Sequence, residues 1–426
     1  MIQSIRGMND ILPEKTFAWQ SLETHLRDLI QSYGYQEIRL PLLEDTALFK
    51  RAIGEVTDIV EKEMYTFSDK NGDSLSLRPE GTAGCLRACI QHSLLRNQTQ
   101  RLWYSGPMFR HERPQKGRYR QFYQCGVEAY GFPDIDIELE IILMTVQLWE
   151  TLGLQEMLML EINTLGTLEE RQVYREHLIQ YFSAHQACLD EDSQRRLTTN
   201  PLRILDSKNP SMQTLIENAP RLMDYFNDNS KKRFEQLCQK LEQFAIPFRI
   251  NTRLVRGLDY YSHTVFEWVT RDLGAQGTVC AGGRYDKLIS QLGGSESSAF
   301  GFGLGIERLL LLLEEKTNFF ENLPASADIY ALFMGEAAET EGLIWIEKLR
   351  RQLYSHGHYR LMAHCGNGSV KSQWKKADKS NARIALILGD SEMANKTASI
   401  KFLREERSQI EIKQDEVVPF LQEYFK

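Results

Sequence analysis

A chain of 426 residues with 42% hydrophobic content can build two or three domains, each with its own core. Its net charge of −7 excludes a global electrostatic footprint for nucleic acid, so any such binding must be local. No apolar run nears the roughly 20 residues that span a bilayer, and seven cysteines without a CxxC pair exclude a zinc ribbon and point to reduced thiols in a cytoplasm.

The N-terminus, MIQSIRGMNDILPEK, lacks the apolar core of a secretory leader. Residues 17–33 place Leu22, Leu26, Leu29, Ile30 and Tyr33 at helical spacing, with Gly34 set to end the helix. The strand YQEIRLP follows and ends at Pro41, which suits a sheet edge or a strand terminus. Two alternating runs around Asn71-Gly72 predict a hairpin whose second strand leads through Pro79 and Glu80 into a helix near Thr82. A second hairpin is predicted from LWYSGPMF and FYQCGVEAY, with the basic loop 109–124 (FRHERPQKGRYRQFYQ) at its tip. Residues 166–245 are polar and helix-like, and they interrupt the sheet sequence as an insertion. Strands resume at IPFRINTRLVRG, HTVFEWVT and GTVCAGGRYD. After Pro324 the order is strand, helix, strand, helix, strand, which predicts a small α/β domain over 325–426 with a largely parallel sheet. That segment holds 15 Lys and Arg against 14 Asp and Glu, so the negative excess lies in residues 1–324. The pattern of meanders and helices in 1–324 predicts an α+β fold.

Five segments can carry chemistry. The cations of the 109–124 loop suit phosphate, because a guanidinium fork donates two parallel hydrogen bonds; a solvated charged loop is the alternative. In the strand that follows, Phe122, Gln124, Gly126 and Glu128 share one face, either a ligand floor or a face open to water. In AFGFGLGIERLL, Gly301, Gly303 and Gly305 share a strand face ahead of Glu307 and Arg308, leaving a groove where a flat ligand can approach the backbone. LVRGLDYYSHTVFEW sets Arg256 beside Asp259, Tyr260 and Tyr261, which suits a small zwitterion or, equally, a structural salt bridge in a surface turn. Glu80 at the start of its helix can take an ammonium group or simply cap the helix. There is no GxxxxGK[ST] loop, no metal-ligand cluster and no Ser-His-Asp or Cys-His arrangement in the sequence.

Taken together, FRHERPQKGRYRQF and GFGLGIERL resemble the second and third motifs of class II aminoacyl-tRNA synthetases, and the segment ending at Pro41 resembles the first. LVRGLDYY and AGGRYD resemble signatures of the histidyl-tRNA synthetase family, and the resemblance runs from Arg6 to the C-terminus. It implies an antiparallel-sheet catalytic domain over 1–324 with the helical insertion, an anticodon-binding α/β domain over 325–426, and a homodimer in the cytoplasm with no membrane association. The implied reaction joins L-histidine to tRNA(His) through a histidyl-adenylate, with ATP as substrate and Mg²⁺ bound through the ATP phosphates. Arg110, Arg256 and Arg308 would be catalytic. Glu112, Arg118 and Phe122 would join Arg110 and Arg308 in holding ATP. Glu80, Thr82 and Gln124 would take the amino group of histidine, with Glu128, Tyr260, Tyr261 and Tyr285 around its ring and Arg256 between its carboxylate and the α-phosphate. Gln115 and Lys116 would meet the tRNA end. Lys371, Lys375, Lys376 and Lys379 are spaced to share a helix face, suited to tRNA phosphates or to water. Asp390 stands where relatives are expected to carry Glu. A non-catalytic regulatory relative from histidine biosynthesis is the rival reading; it generally lacks the tail domain and the signature arginines.

Overall fold

The computed structural model describes residues 2–54, 57–199, 201–205, 207, 209–254, 258, 260–274, 277–320, 327–336, 338–357, 359–366 and 368–425. The chain divides into two compact units, Met1–Glu321 and Asn322–Lys426. In the first, α1 (Pro13–Ser32) leads to β1 (Gln36–Glu37), β2 (Leu43–Asp45), α2 (Thr46–Ile53), β3 (Thr66–Ser68), β4 (Ser74–Leu77) and α3 (Thr82–Gln91). The long hairpin β5 (Gln100–Phe109) and β6 (Gln121–Tyr130) follows, then α4 (Asp136–Thr151) and β7 (Met159–Thr164). Helices α5 (Leu168–Ala184), α6 (Glu191–Thr199), α7 (Gln213–Glu217) and α8 (Asp228–Gln243) form the insertion. The unit closes with β8 (Phe248–Ile250), β9 (Ser262–Val269), β10 (Thr278–Arg284), α9 (Lys287–Gln291), β11 (Ala299–Gly305) and α10 (Ile306–Lys316).

One sheet, in the order β1-β5-β6-β11-β10-β9-β7-β8, organises this unit. Its central pairs are antiparallel, and parallel pairs sit only at its two edges. The fold is α+β. Helix α1 begins at Pro13, whose fixed φ and missing amide suit a first turn. It buries Ala18, Trp19, Leu22, Leu26 and Ile30 at helical spacing, and Gly34 beyond its end adopts φ +80°. The strand expected through Pro41 is much shorter, Gln36–Glu37, although the Ile38 amide still reaches the Trp103 carbonyl at 2.8 Å. Beyond it, the Leu40 and Pro41 carbonyls turn away to the Arg78 guanidinium. The Asn71-Gly72 hairpin joins β3 to β4 through a longer loop than a two-residue turn. Asp69 accepts from the Asn71 and Asp73 amides, and Gly72 takes φ +92°.

In the insertion, a capping box between Thr167 and Glu170 starts α5. Glu170 also accepts from the Asn227 amide and the Ser230 hydroxyl, which stitches α8 to the same point. The second unit contains β12 (Ile329–Met334), α11 (Leu343–His356), β13 (Leu361–Ala363), α12 (Val370–Lys379), β14 (Ile384–Gly389), α13 (Asp390–Asn395), β15 (Thr397–Phe402), β16 (Ile410–Lys413) and α14 (Val417–Tyr424). Its sheet runs β13-β12-β14-β15-β16. The first three strands are parallel, as their helical crossovers require. The last two are antiparallel, so the sheet is mixed rather than largely parallel.

Where β10 ends, Glu138 at the start of α4 is 0% exposed and receives the Arg284 Nε at 2.7 Å and the Arg233 Nη2 at 2.6 Å. Arg284, 1% exposed, also donates to the Phe132 and Asp134 carbonyls. Removing the carboxylate takes an acidic partner from two guanidiniums and leaves the fully buried one, Arg284, leaning on Asp286 at 3.3 Å. Glu138→Ala should therefore destabilise the first unit by about 3–5 kcal/mol in denaturant unfolding.

Candidate active site

A cavity of 480 Å³ opens on the face of the large sheet that carries Phe122 and Gln124. Arg110 and Arg118 reach it from the β5–β6 loop, and Arg308 from the first turn of α10. Arg308 is fixed by donating Nε to the Gly117 carbonyl (3.1 Å) and Nη1 to the Thr278 carbonyl (2.7 Å). Burial holds its pKa below the usual guanidinium range, and the neighbouring Arg118 and Arg110 add to that. Arg110 donates to the Pro79 carbonyl at 2.9 Å and lies 5.4 Å from the centre of the Phe122 ring. The Arg118 side chain pairs with Glu112. Three cations thus share one low-dielectric wall, an arrangement suited to an anion of high charge.

Beyond Arg110 the wall becomes carboxylates and phenols. Glu80 caps α3 by accepting from the Thr82 amide (2.7 Å) and the Ala83 amide (3.0 Å), so the cap role anticipated for it is realised while it lines the cavity. Tyr260 and Tyr261 line the cavity and pack with ring centres 4.7 Å apart; Tyr285 is 5.6 Å from the first and 6.2 Å from the second. Glu128 and Tyr285 do not line it; they lie one layer behind. Glu128 accepts from Thr82 Oγ1 (2.8 Å), from the Tyr104 hydroxyl (2.9 Å) and from the Tyr285 hydroxyl. Burial raises its pKa to about 7 despite these donors. Glu307, which accepts from the Tyr123 amide, is also raised to about 7 by burial.

The glycines expected to form one ligand groove divide into two kinds. A Cβ on Gly301 would overlap the Glu128 carboxylate, and one on Gly126 or Gly81 would overlap the Tyr104 ring. These are demanded by packing. Gly303 and Gly305 are not: their Cβ atoms would find only ordinary contacts, 3.7 Å to Gln124 and 3.8 Å to Arg308. Both line the cavity, so the space they leave belongs to it.

The cavity therefore gathers Glu80, Thr82, Arg110, Glu112, Arg118, Phe122, Gln124, Tyr260, Tyr261 and Arg308 from widely separated segments. Arg256 and Asp259 lie outside the described residues. Gln115 and Lys116 stand apart on the loop; Gln115 bridges to Arg118 through the backbone, and Lys116 pairs with Glu315 on α10. Lys371, Lys375, Lys376 and Lys379 are exposed on α12, opposite the buried Gln373 and Ala377. Asp390 accepts from the Ala338 amide at 3.2 Å and sits where a Cβ on Gly335 would be. Sequence reasoning missed Tyr104 and Glu267, and it marked Glu307 at the start of its helix without giving it a role. Tyr104 faces Gly126 across β5 and β6, a large residue opposite a gap, and Glu267 is a carboxylate inside the apolar run Val265–Val269.

A sequence profile described as histidyl-tRNA synthetase matches residues 7–309. The chain belongs to the histidyl-tRNA synthetase family. An anticodon-binding domain profile matches residues 341–424. The crystal structure of apo histidyl-tRNA synthetase from S. aureus is 35% identical, covers 99% of this chain and all of its own, and superposes with a TM-score of 0.81. Histidyl-tRNA synthetase from Nostoc sp. shares the fold at 18% identity over both full chains, with a TM-score of 0.71. A Bacillus halodurans protein titled ATP phosphoribosyltransferase regulatory subunit/histidyl-tRNA synthetase shares it at 22% identity, over 91% of this chain and 98% of that one, with a TM-score of 0.62. The fold is thus shared by proteins described as synthetases and by one described as a regulatory subunit/synthetase.

Two expectations concern stability. Gly126→Ala should be strongly destabilising, because the overlap is with a buried ring, whereas Gly303→Ala should leave unfolding within about 1 kcal/mol of wild type. Thermal unfolding of the two variants checks this. The second is a pH dependence. Free glutamate loses its proton near its ordinary value of 4.5, before buried Glu128 does near 7. The unfolded state therefore binds fewer protons between these values, and stability should fall across that window, by about 3 kcal/mol for this one group, and level off above it. Glu128→Gln should flatten the profile measured by denaturant unfolding from pH 5 to 8; the slope that persists combines the falling contributions of Glu307, Glu80 and Glu23, all raised by burial, with an opposing rise from His263, whose imidazole burial holds below its usual value.

Proposed function

We propose that the protein ligates L-histidine to tRNA(His) at the expense of ATP. The observation that carries this reading is the convergence of Arg110, Arg118 and Arg308 on one cavity whose other wall holds Glu80, Gln124 and paired tyrosines. The cations suit a triphosphate and the polar wall suits an amino acid. In the first step a carboxylate oxygen of histidine attacks the α-phosphorus. The bond to the bridging oxygen breaks and pyrophosphate leaves. Two anions must meet, and negative charge grows on the non-bridging oxygens. Prepositioned guanidiniums stabilise that charge without reorganising. In the second step the terminal ribose hydroxyl of tRNA attacks the carbonyl carbon, and AMP departs with the bonding pair.

Arg110 would hold the α-phosphate, Arg118 and Arg308 the γ-phosphate end, and Glu112 and Phe122 the adenine, with Phe122 stacking over the open face at Gly303 and Gly305. Glu80, Thr82 and Gln124 would take the ammonium group. Tyr260, Tyr261, Tyr285 and Glu128 would surround the imidazole, and Arg256 would sit between the carboxylate and the α-phosphate. Mg²⁺ would arrive on the phosphates and neutralise the leaving pyrophosphate. The cavity carboxylates already have partners: Glu112 an arginine, Glu307 an amide and Glu267 the Thr278 hydroxyl at 2.9 Å. Analogues that cannot match the polar ring would leave buried groups unpaired, so rejection can reach about 10⁴-fold without editing.

The exposed apolar residues Leu42, Leu43 and Phe67 support a homodimer that covers them. The free cysteines fit the cytoplasm. The C-terminal unit would bind the anticodon, with Lys371 and Lys375 near tRNA phosphates and Gln115 and Lys116 near the acceptor end. The regulatory reading competes because a relative with that title shares the fold; the gathered arginines favour the ligase. ATP–pyrophosphate exchange with each of the twenty amino acids separates them. Histidine alone should support exchange, and Arg308→Ala should lower its rate about 10²–10³-fold. A folded wild-type protein without histidine-dependent exchange would overturn the ligase reading.

A further inference from the structure

Arg78 precedes Pro79 and Glu80, and no role has yet fallen to it. It is a cation only 5% exposed, and its side-chain partners are backbone carbonyls rather than carboxylates. Nε donates to the Pro107 carbonyl at 2.9 Å, and Nη1 to the Leu40 and Pro41 carbonyls at 3.1 and 3.4 Å. Its backbone repeats the connection: its amide donates to Leu42, and its carbonyl accepts from Phe109, both at 2.9 Å. One residue thus ties the segment after β1 to the end of β5. The sheet is shaped to admit it. A Cβ on Gly106 would lie 2.5 Å from Arg78 Nη2, which explains a glycine inside a ten-residue strand, where it otherwise weakens the strand. Burying a cation with no ion pair among the described residues is costly, and burial lowers the Arg78 pKa although Tyr104, Glu44 and Glu80 nearby oppose it. A planar fork can satisfy carbonyls from two segments at once; a lysine ammonium cannot hold that geometry.

The next links lead into the cavity. The Pro79 carbonyl, one residue on, accepts from Arg110 Nε at 2.9 Å, and Glu80 lines the cavity while it caps α3. We propose that Arg78 is a positioning residue, which holds the Pro79–Glu80 wall and, through Pro79, the Arg110 guanidinium in the arrangement that adenylate formation requires. This rests on the ligase reading. Arg78 itself would touch no substrate. A second cavity, 490 Å³ and lined by Arg78, Arg27, Glu37 and Trp103, reaches the guanidinium from the side of α1 and β1. Cutting the side chain back would leave a slot that a small guanidinium can enter.

The test is histidine-dependent ATP–pyrophosphate exchange by full-length wild type, Arg78→Ala, Arg78→Lys and Gly106→Ala, with and without methylguanidinium, alongside thermal unfolding. Displacing a catalytic group by about 1 Å can cost 10²-fold, so Arg78→Ala should lose about that factor in kcat. Methylguanidinium should restore about tenfold of the loss in Arg78→Ala and nothing in wild type or Arg78→Lys. Gly106→Ala should also lose activity, because its Cβ displaces the guanidinium, and should not be rescued. A folded Arg78→Ala or Gly106→Ala with wild-type kcat overturns the proposal. So does a loss in Arg78→Ala that methylguanidinium does not relieve. If Arg78→Ala does not fold, Gly106→Ala decides alone. If wild type itself shows no exchange, the ligase reading fails. The positioning role is then read from ATP affinity, which should weaken about tenfold in Arg78→Ala and overturns the proposal if unchanged.

Discussion

The register between β6 and β11 is the constraint on which the cavity depends. It sets Gln124 opposite Gly305, Gly126 opposite Gly303 and Glu128 opposite Gly301. Side chains alternate along a strand, so a slip of one residue would send Phe122 and Gln124 to the far face of the sheet and close the floor at Gly303 and Gly305. The same register places the start of α10 beside the β5–β6 loop, which is why Arg308 can donate to the Gly117 carbonyl. Cations nearly two hundred residues apart in sequence meet because two strands pair in one alignment and no other.

That alignment is held by an expensive centre. Glu128 is a carboxyl group at 1% exposure with three hydroxyl donors and no guanidinium partner. Placing it there requires Gly301 beside it, and placing its Tyr104 donor requires Gly81 and Gly126. Each glycine inside a helix or strand gives up roughly 0.5–1 kcal/mol relative to alanine. A core built for stability alone would fill the site with aliphatic residues. The contrast with Glu138 is instructive. That carboxylate is as deeply buried, but its partners are cations, and its pKa is lowered rather than raised. One acid is structural and charged; the other sits near its titration point behind a cavity.

Much of this was legible in the sequence where the signal was local. The basic hairpin tip, the shared face of Phe122 and Gln124 and the glycines at spacing two all follow from strand alternation, and the structure places them so. What could not be read depends on the third dimension. Spacing marks Gly301 and Gly303 as alike; only the position of Glu128 makes the first a packing glycine and the second an open one. The strand through Pro41 reads as continuous, but its end is set by Arg78, almost forty residues later, which claims the Leu40 and Pro41 carbonyls. The antiparallel pair β15–β16 escaped because its strands follow a short helix and a polar loop, without the crossover rhythm that identifies β12, β13 and β14.

Counting cations in the 109–124 loop overstates its grip on an anion. Arg118 is paired with Glu112, and Lys116 with Glu315. An incoming phosphate group would exchange partners with these carboxylates, and the net gain is the difference between two charge-assisted contacts, each taken partly out of water. The advantage lies with Arg308, which the protein has already desolvated and aimed by backbone carbonyls, so a ligand meets a guanidinium whose cost of ordering was met during folding. Arg78 extends the same reasoning to a cation that meets no ligand at all. In an acidic chain, what a local cation does is decided less by its charge than by which of its hydrogen bonds the fold has already claimed.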